Sequence, residues 1–431
     1  MLHSNLSVAN GILHFAGYNT VELAKKHGTP LMLLDEKRIR ERMRTYKNAM
    51  ETYFGKGACP LYASKALSFT AMYQIAKEEG ICTDIVSVGE LYTAVRAGFP
   101  MERAFFHGNN KSDSDIRYGM SNKIGYFIVD TYDELYAIDR IAKELNIKQK
   151  ILLRLTPGID PHTHEAISTG KVDSKFGTAI ETGQAMEITK AALSLEGIDL
   201  RGFHCHIGSQ IFETEPFFDA ADIMISYVGK VRDELGYTAE ILNLGGGFGV
   251  RYVESDPVIS YEDNIAKIAG HINTYCEEND LPRPTILMEP GRSIVADSGI
   301  TLYTIGSLKE INGYKSYVSI DGGMTDNPRY ALYGSAYTTC IANKMDKKAD
   351  YVCTIAGRNC ESGDLIQENA LMPRPERGDI LAVLVTGAYN YSMASNYNRV
   401  PRPAVVLLGE SERVVIKRET PEDVSRLDVM L

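Results

Sequence analysis

The sequence predicts an α/β chain: a (β/α)8 barrel of the TIM type, followed by an all-β domain of barrel or sandwich character. Three observations carry that prediction. Eight short β-rich runs alternate with helical stretches. The first four runs start about 22 residues apart, the length of one strand–helix unit. After residue 297 strands continue with no long helix between them.

In chain order the eight runs are LYASKA (61–66), CTDIVS (82–87), AFFHG (104–108), YFIVD (126–130), KILLRLT (150–156), GFHCHI (202–207), ILNLGG (241–246) and TILMEP (285–290). They are apolar almost throughout, as strands covered on both faces must be. Between them lie amphipathic segments such as SFTAMYQIAKEEG (68–80) and YDELYAIDRIAKELN (132–146). In the second, Leu135, Ile138, Ile141 and Leu145 fall on one helical stripe. Gly80 and Gly98 stand where helices should stop. A doubly wound open sheet is the rival arrangement, and it usually carries fewer strands. Beyond 297 the strands read as 300–311, 316–323, 350–357, 379–388, 404–410 and 413–419, separated by Gly- and Pro-rich stretches such as LMPRPERGD (371–379). Residues 6–15 (LSVANGILHF) read as a strand and hairpin of that same domain. The expected division is a barrel over 36–296 and a β-domain built from 1–35 with 297–431.

Composition narrows the function classes. A net charge of −10, spread along the chain, disfavours a sequence-independent grip on nucleic acid or anionic membrane. No apolar run approaches the ~18 residues of a membrane span. The opening MLHSNLSVANG has neither the basic start nor the apolar centre of a secretory signal. Seven scattered cysteines with no C-x-x-C make neither a disulfide framework nor a zinc ribbon, and fit a reducing cytoplasm.

Barrel enzymes keep their chemistry at the C-terminal ends of the strands. Reading those ends gives Lys65, Asp84, His107, His206, the Gly245–Gly247 cluster and Glu289. Taken singly, each has an ordinary explanation: a rim lysine reaches solvent, a glycine cluster makes a tight turn, and His107 is a satisfied rim histidine. Neither a G-x-G-x-x-G nor a Walker sequence is present. Together, a lysine, a phosphate cradle, a carboxylate and an imidazole meet the needs of pyridoxal 5′-phosphate. The lysine holds it covalently, the glycine amides take its phosphate, the carboxylate keeps its ring nitrogen protonated, and the imidazole stacks on its face. A metal-dependent amidohydrolase is the competing class, because His204 and His206 stand i, i+2 and HTH (162–164) adds two more histidines. That pair falls on the sixth strand rather than the first, and zinc chemistry has no use for glycines at 245–247; no metal is expected.

YASKA (62–66), GNNKS (108–112), HTHEAISTGKVDSKFG (162–177), HCHIGSQ (204–210), NLGGGFG (243–249), EPGR (289–292), DGGMTDNPRYALYG (321–334), CESGD (360–364) and GAYNYSMASNYN (387–398) closely resemble the diaminopimelate decarboxylases. These belong to the alanine-racemase-like class of pyridoxal-phosphate enzymes. The resemblance runs the whole length of the chain in order, and no fused kinase-like domain accompanies it. It implies Lys65 as the covalent anchor of the cofactor, with Asp84 near it, His206 stacked on the ring and Glu289 at the ring nitrogen. Ser209, Gly246, Gly247 and Tyr389 would serve the phosphate, and Pro290, Gly291 and Arg292 the cofactor more generally. For substrate it implicates Arg292, Arg329, Tyr333, Glu361 and Tyr389, the arginines suiting a carboxylate because they bind it bidentately. Cys360, by spacing alone a structural cysteine, becomes the proton donor, on a loop supplied by the partner in a homodimer. The implied reaction is decarboxylation of meso-2,6-diaminopimelate to L-lysine and CO2. The alternative is a decarboxylase of ornithine, arginine or lysine, which would need an acidic distal pocket and no carboxylate clamp. Intact Lys65, Cys360 and Glu289 speak against a non-catalytic homologue. The long 157–179 segment reads as a lid.

Overall fold

The computed structural model describes residues 2–159 and 174–431. The chain forms two compact units, one of Arg42–Gly249 with Ile259–Ser293 and the other of Met1–Glu41, Val250–Val258 and Ile294–Leu431.

The first unit is a closed barrel of eight parallel strands: Cys59–Ala63, Cys82–Ile85, Ala104–Phe106, Tyr126–Val129, Gln149–Thr156, Ile198–His204, Ile241–Asn243 and Thr285–Met288. Each pairs with the next, and the ring closes where Leu287 and Met288 lie opposite Cys59 and Pro60. All eight match the runs expected from the sequence. Leu61, Phe105, Ile128, Leu152 and Leu287, one from each of five strands, form a buried cluster. Helices follow the strands, and their starts are chemically marked. Ser87, Thr131 and Ser260 each accept the backbone N–H three residues on, and Ser112 does so within a capping box. Gly80 stops the Thr70–Glu79 helix in the left-handed conformation, at φ 72°.

Two local expectations are corrected. The first strand ends at Ala63 and gives way to a 3-10 turn over Ser64–Ala66, so Lys65 rides the turn rather than the strand. The Tyr132–Glu144 helix buries Leu135, Ile138 and Ile141, but Leu145 is its C-cap and stands 41% exposed. The chain turns there, with Asn146 at φ 54°, before the stripe reaches a fourth residue. Most of the expected lid, residues 160–173, lies outside the described residues; of its remainder, Thr178–Ala179 adds a short parallel pairing to Leu155 and Thr156.

The second unit holds a three-stranded N-terminal hairpin sheet (Leu6–Ala9, Ile12–Phe15, Tyr18–Asn19) and a larger mixed sheet. The larger sheet runs in the order Leu365–Met372, Tyr351–Ala356, Lys315–Ile320, Gly299–Ile311, Leu31–Asp35, Ala404–Leu408 and Glu412–Ile416. Ile380–Leu384 pairs with Gly299–Ile311, and Thr339–Ile341 pairs in turn with Ile380–Leu384. The N-terminal strand Leu31–Asp35 inserts at its centre, antiparallel to Gly299–Ile311 and parallel to Ala404–Leu408. Among the described residues no helix is long and apolar enough to cross a membrane.

Candidate active site

At the C-terminal ends of the barrel strands, a carboxylate sits at the centre of a polar network. Glu289 follows the last strand and is 8% exposed. Asn243, ending the seventh strand, donates to its Oε1 at 2.8 Å. His204, ending the sixth, places Nε2 3.2 Å from Oε2. His107, after the third, brings Nε2 to 3.0 Å from Oε1, a close contact without the in-line geometry of a hydrogen bond. Burial alone would raise the Glu289 pKa; the two imidazoles more than offset it and hold the carboxyl well below the usual range. The histidines answer in kind. Burial drives His204 down to about 4, neutral at pH 7, and lowers His107 against the pull of Glu289. His204 Nδ1 is buried with no hydrogen-bond partner, which suits the tautomer with the proton on Nε2 aimed at Glu289.

The glycine loop is shaped by close approach. A Cβ on Gly246 would stand 2.1 Å from the Glu289 carbonyl oxygen, and one on Gly247, at φ 130°, 2.6 Å from the carbonyl of Gly208. Only bare backbone fits. Gly246 N–H donates to His206 Nδ1 at 3.2 Å, fixing the ring edge against the loop. The pKa of His206 lies well below its ordinary value through burial and the nearby Lys65 charge, so this ring too is neutral. Arg292, almost fully buried, donates through Nε and Nη2 to Ser209 Oγ at 3.2 and 2.9 Å. At Gly291 a Cβ would lie 2.7 Å from the Ala63 Cβ, so the segment after the last strand packs tightly on the turn that carries Lys65. Ala63 N–H donates to Pro290 O at 3.1 Å, joining the same two segments.

Lys65 itself is exposed and makes no hydrogen bond or ion pair with the described residues. Its turn is held by Asp84 and Glu90: Ser64 N–H donates to Asp84 Oδ1 at 2.7 Å and Ser64 Oγ to Glu90 Oε2 at 3.0 Å. Burial, then the charge of Glu289, pushes the Asp84 pKa well above its ordinary value, while Lys65 opposes the rise. The barrel unit therefore offers an unengaged amine, a glycine loop without side chains, a neutral imidazole and an ionised buried carboxylate. A pyridine-bearing aldehyde phosphate needs those four groups, and the donor set fits pyridoxal phosphate.

The other expected residues belong to the second unit. Arg329 is 7% exposed, with its Cζ 5.1 Å from the Tyr333 ring centroid and 5.7 Å from that of Tyr389. Its Nε has no partner and it forms no ion pair among the described residues. Tyr389 takes a left-handed backbone at φ 58°, uncommon for a ring-bearing residue. Cys360 and Glu361 are exposed on a loop organised by buried Asp364, whose carboxylate accepts from Met324 N, Asn359 N and Asn359 Nδ2 at 2.6, 2.8 and 2.7 Å.

Sequence reading missed the company of Glu289. The sequence alone assigns His107 no role and offers His204 only as a zinc ligand beside His206. The structure separates that pair: the strand ends at His204, which turns to Glu289, while His206 turns to Gly246. Among the described residues, the side chains of metal-ligating type that converge are His107, His204 and Glu289, their ligand atoms within 4.8 Å of one another. A strand-end position for each of the three was the available signal.

Barrel, lysine turn and glycine loop define a pyridoxal-phosphate enzyme. The family model "Pyridoxal-dependent decarboxylase, pyridoxal binding domain" matches residues 36–296. The chain is 46% identical over 421 residues to a diaminopimelate decarboxylase of Bacillus subtilis, covering 97% of this chain and 96% of the relative. It is 47% identical over 410 residues to that of Bacillus methanolicus, covering 95% of each. Among solved structures, diaminopimelate decarboxylase from M. jannaschii in complex with L-lysine matches with a TM-score of 0.94 at 34% identity, over 100% of this chain and 99% of that one. The chain belongs to the diaminopimelate decarboxylase family.

Proposed function

We propose that the protein removes CO2 from meso-2,6-diaminopimelate to release L-lysine. Bound pyridoxal phosphate supplies the sink for the electron pair left at Cα when CO2 departs. The chain's own residues do the rest. Lys65 would hold the cofactor covalently through its side-chain amine. Glu289, kept ionised by its imidazole and amide neighbours, holds the proton on the ring nitrogen, because an adjacent negative charge raises that nitrogen's pKa. His206 supports the ring, and Asp84 keeps the lysine turn in place. Gly246, Gly247, Ser209 and Tyr389 take the phosphate, with Pro290, Gly291 and Arg292 shaping the same cradle. Arg292, Arg329, Tyr333, Tyr389 and Glu361 hold the substrate's charged ends. Cys360 returns a proton to Cα, a step that typically contributes about 10²–10⁴-fold. Its exposure on the single chain supports a homodimer in which this loop serves the partner's site. Seven free thiols support the cytoplasm as its compartment.

The observation that carries the choice of substrate is Arg329. A buried guanidinium without a carboxylate partner is costly unless a ligand supplies the anion. A substrate with a distal carboxylate does so; ornithine or lysine, with only a distal ammonium, does not. Arg329→Gln should raise KM for diaminopimelate by about 10–100-fold, the loss of roughly 1.5–3 kcal/mol for a charged hydrogen bond, with cofactor absorbance unchanged. An unchanged KM removes Arg329 from the substrate clamp.

A further inference from the structure

At the opposite end of the barrel, Cys59 opens the first strand and Cys82 the second. Their sulfurs are 3.4 Å apart, and both side chains pack against the cluster built on Leu61, Phe105 and Leu287 while staying partly exposed. The pair is electrostatically unequal. The hydrogen bond shared with Cys82 lowers Cys59 to about 7 against the pull of burial, and Arg103 and Lys47 add positive charge. Cys82 moves the other way, raised by its hydrogen bond to Cys59 and by burial. Burial raises the thiols of Cys205, Cys276, Cys340 and Cys353. A partly exposed sulfur in a positive setting beside a second, proton-holding sulfur has the parts of an attacking and a resolving thiol.

We propose that Cys59 and Cys82 form a redox-active dithiol at the N-terminal mouth of the barrel, which hydroperoxides oxidise to an intrachain disulfide. The Cys59 thiolate attacks the peroxide oxygen and the O–O bond breaks. The leaving oxyanion takes a proton and departs as water from hydrogen peroxide, or as an alcohol from an organic peroxide. Cys59 is left as a sulfenic acid. Cys82 then attacks that sulfur, the S–O bond breaks, and the oxygen leaves as water with the Cys82 proton. Two thiols have supplied two electrons, and the peroxide has accepted them. Bonding closes the sulfurs from 3.4 Å to about 2.05 Å. The site shares no residue with the cofactor machinery.

The test treats holoenzyme with graded hydrogen peroxide, caps remaining thiols with N-ethylmaleimide, and maps non-reduced peptides by mass. The expected product is a Cys59–Cys82 cross-linked pair that has lost both thiol hydrogens. It should form before any change at Cys276 or Cys353 and be reversed by dithiothreitol. In Cys82→Ser protein Cys59 should advance to sulfinic acid, and in Cys59→Ser protein Cys82 should stay reduced. Residual hydrogen peroxide, read in solution at the end of the reaction, shows that oxidant was delivered. Full maleimide capping of both Cys59 and Cys82 after exposure to excess peroxide overturns the proposal. So does a sulfinic Cys59 beside an unmodified Cys82 in the wild-type protein.

Discussion

Glu289 shows how a single residue acquires its chemistry from neighbours that are remote in sequence. A carboxylate buried alone would take up a proton; with Asn243 and His204 hydrogen-bonded to it and the His107 ring 3.0 Å away, it stays charged. This arrangement has a pH signature. His204 has a folded pKa of about 4, below its unfolded value of 6.5. As pH falls below 6.5 the unfolded chain takes a proton that the folded barrel refuses until about pH 4, so stability is lost across that window. Glu289 acts in the same direction, since its depressed pKa stabilises the fold above the ordinary carboxylate range and that support is lost on acidification. Denaturant melts of the apoprotein at pH 7 and pH 4.5 should differ by roughly 2 kcal/mol from His204 alone, and His204→Gln should flatten the dependence. Equal pH dependence in the variant would show that His204 does not stay neutral in the fold.

Among the elements, the eight barrel strands were legible because each is a short, largely apolar run, and several of the helices between them carry caps. The second sheet was harder. Leu31–Asp35 (LMLLD) sits at its centre, yet in sequence it lies more than 260 residues before the strand it pairs with, Gly299–Ile311. Thr339–Ile341 is three residues long, and Leu365–Met372 interrupts its apolar residues with Gln367, Glu368 and Asn369, so neither shows a pattern of period two. The site divides in the same way. Lys65, Glu289 and the glycines announce themselves at strand ends, whereas the meeting of His107 and His204 with Glu289 depends on ring closure across three strands. The glycine loop makes the element-scale prediction. Gly246→Ala puts a methyl 2.1 Å from the Glu289 carbonyl, and the overpacking of about 1–3 kcal/mol should weaken pyridoxal-phosphate binding by roughly 10–100-fold. Absorbance titration of the apoprotein reads it; unaltered affinity would show that the loop can move aside without loss.

For the molecule as a whole, the proposed proton donor Cys360 is exposed, and the proposed dimer would let it serve the partner's site. Lys65→Ala and Cys360→Ala proteins should each be inactive. Mixed under conditions of subunit exchange, they should recover about one quarter of wild-type activity, since half the dimers become hybrids with one intact site each. No recovery despite demonstrated exchange would mean that each site is completed by one chain. The central claim, a decarboxylase that demands a carboxylate at the far end of its substrate, is tested most directly by product identity. Holoenzyme is given meso-diaminopimelate, lysine, ornithine and arginine together, and the products are identified by mass. Lysine and CO2 formed from diaminopimelate, with the other three untouched, is the predicted result. Cadaverine, putrescine or agmatine as the principal product would contradict it and show that buried Arg329 does not select the substrate.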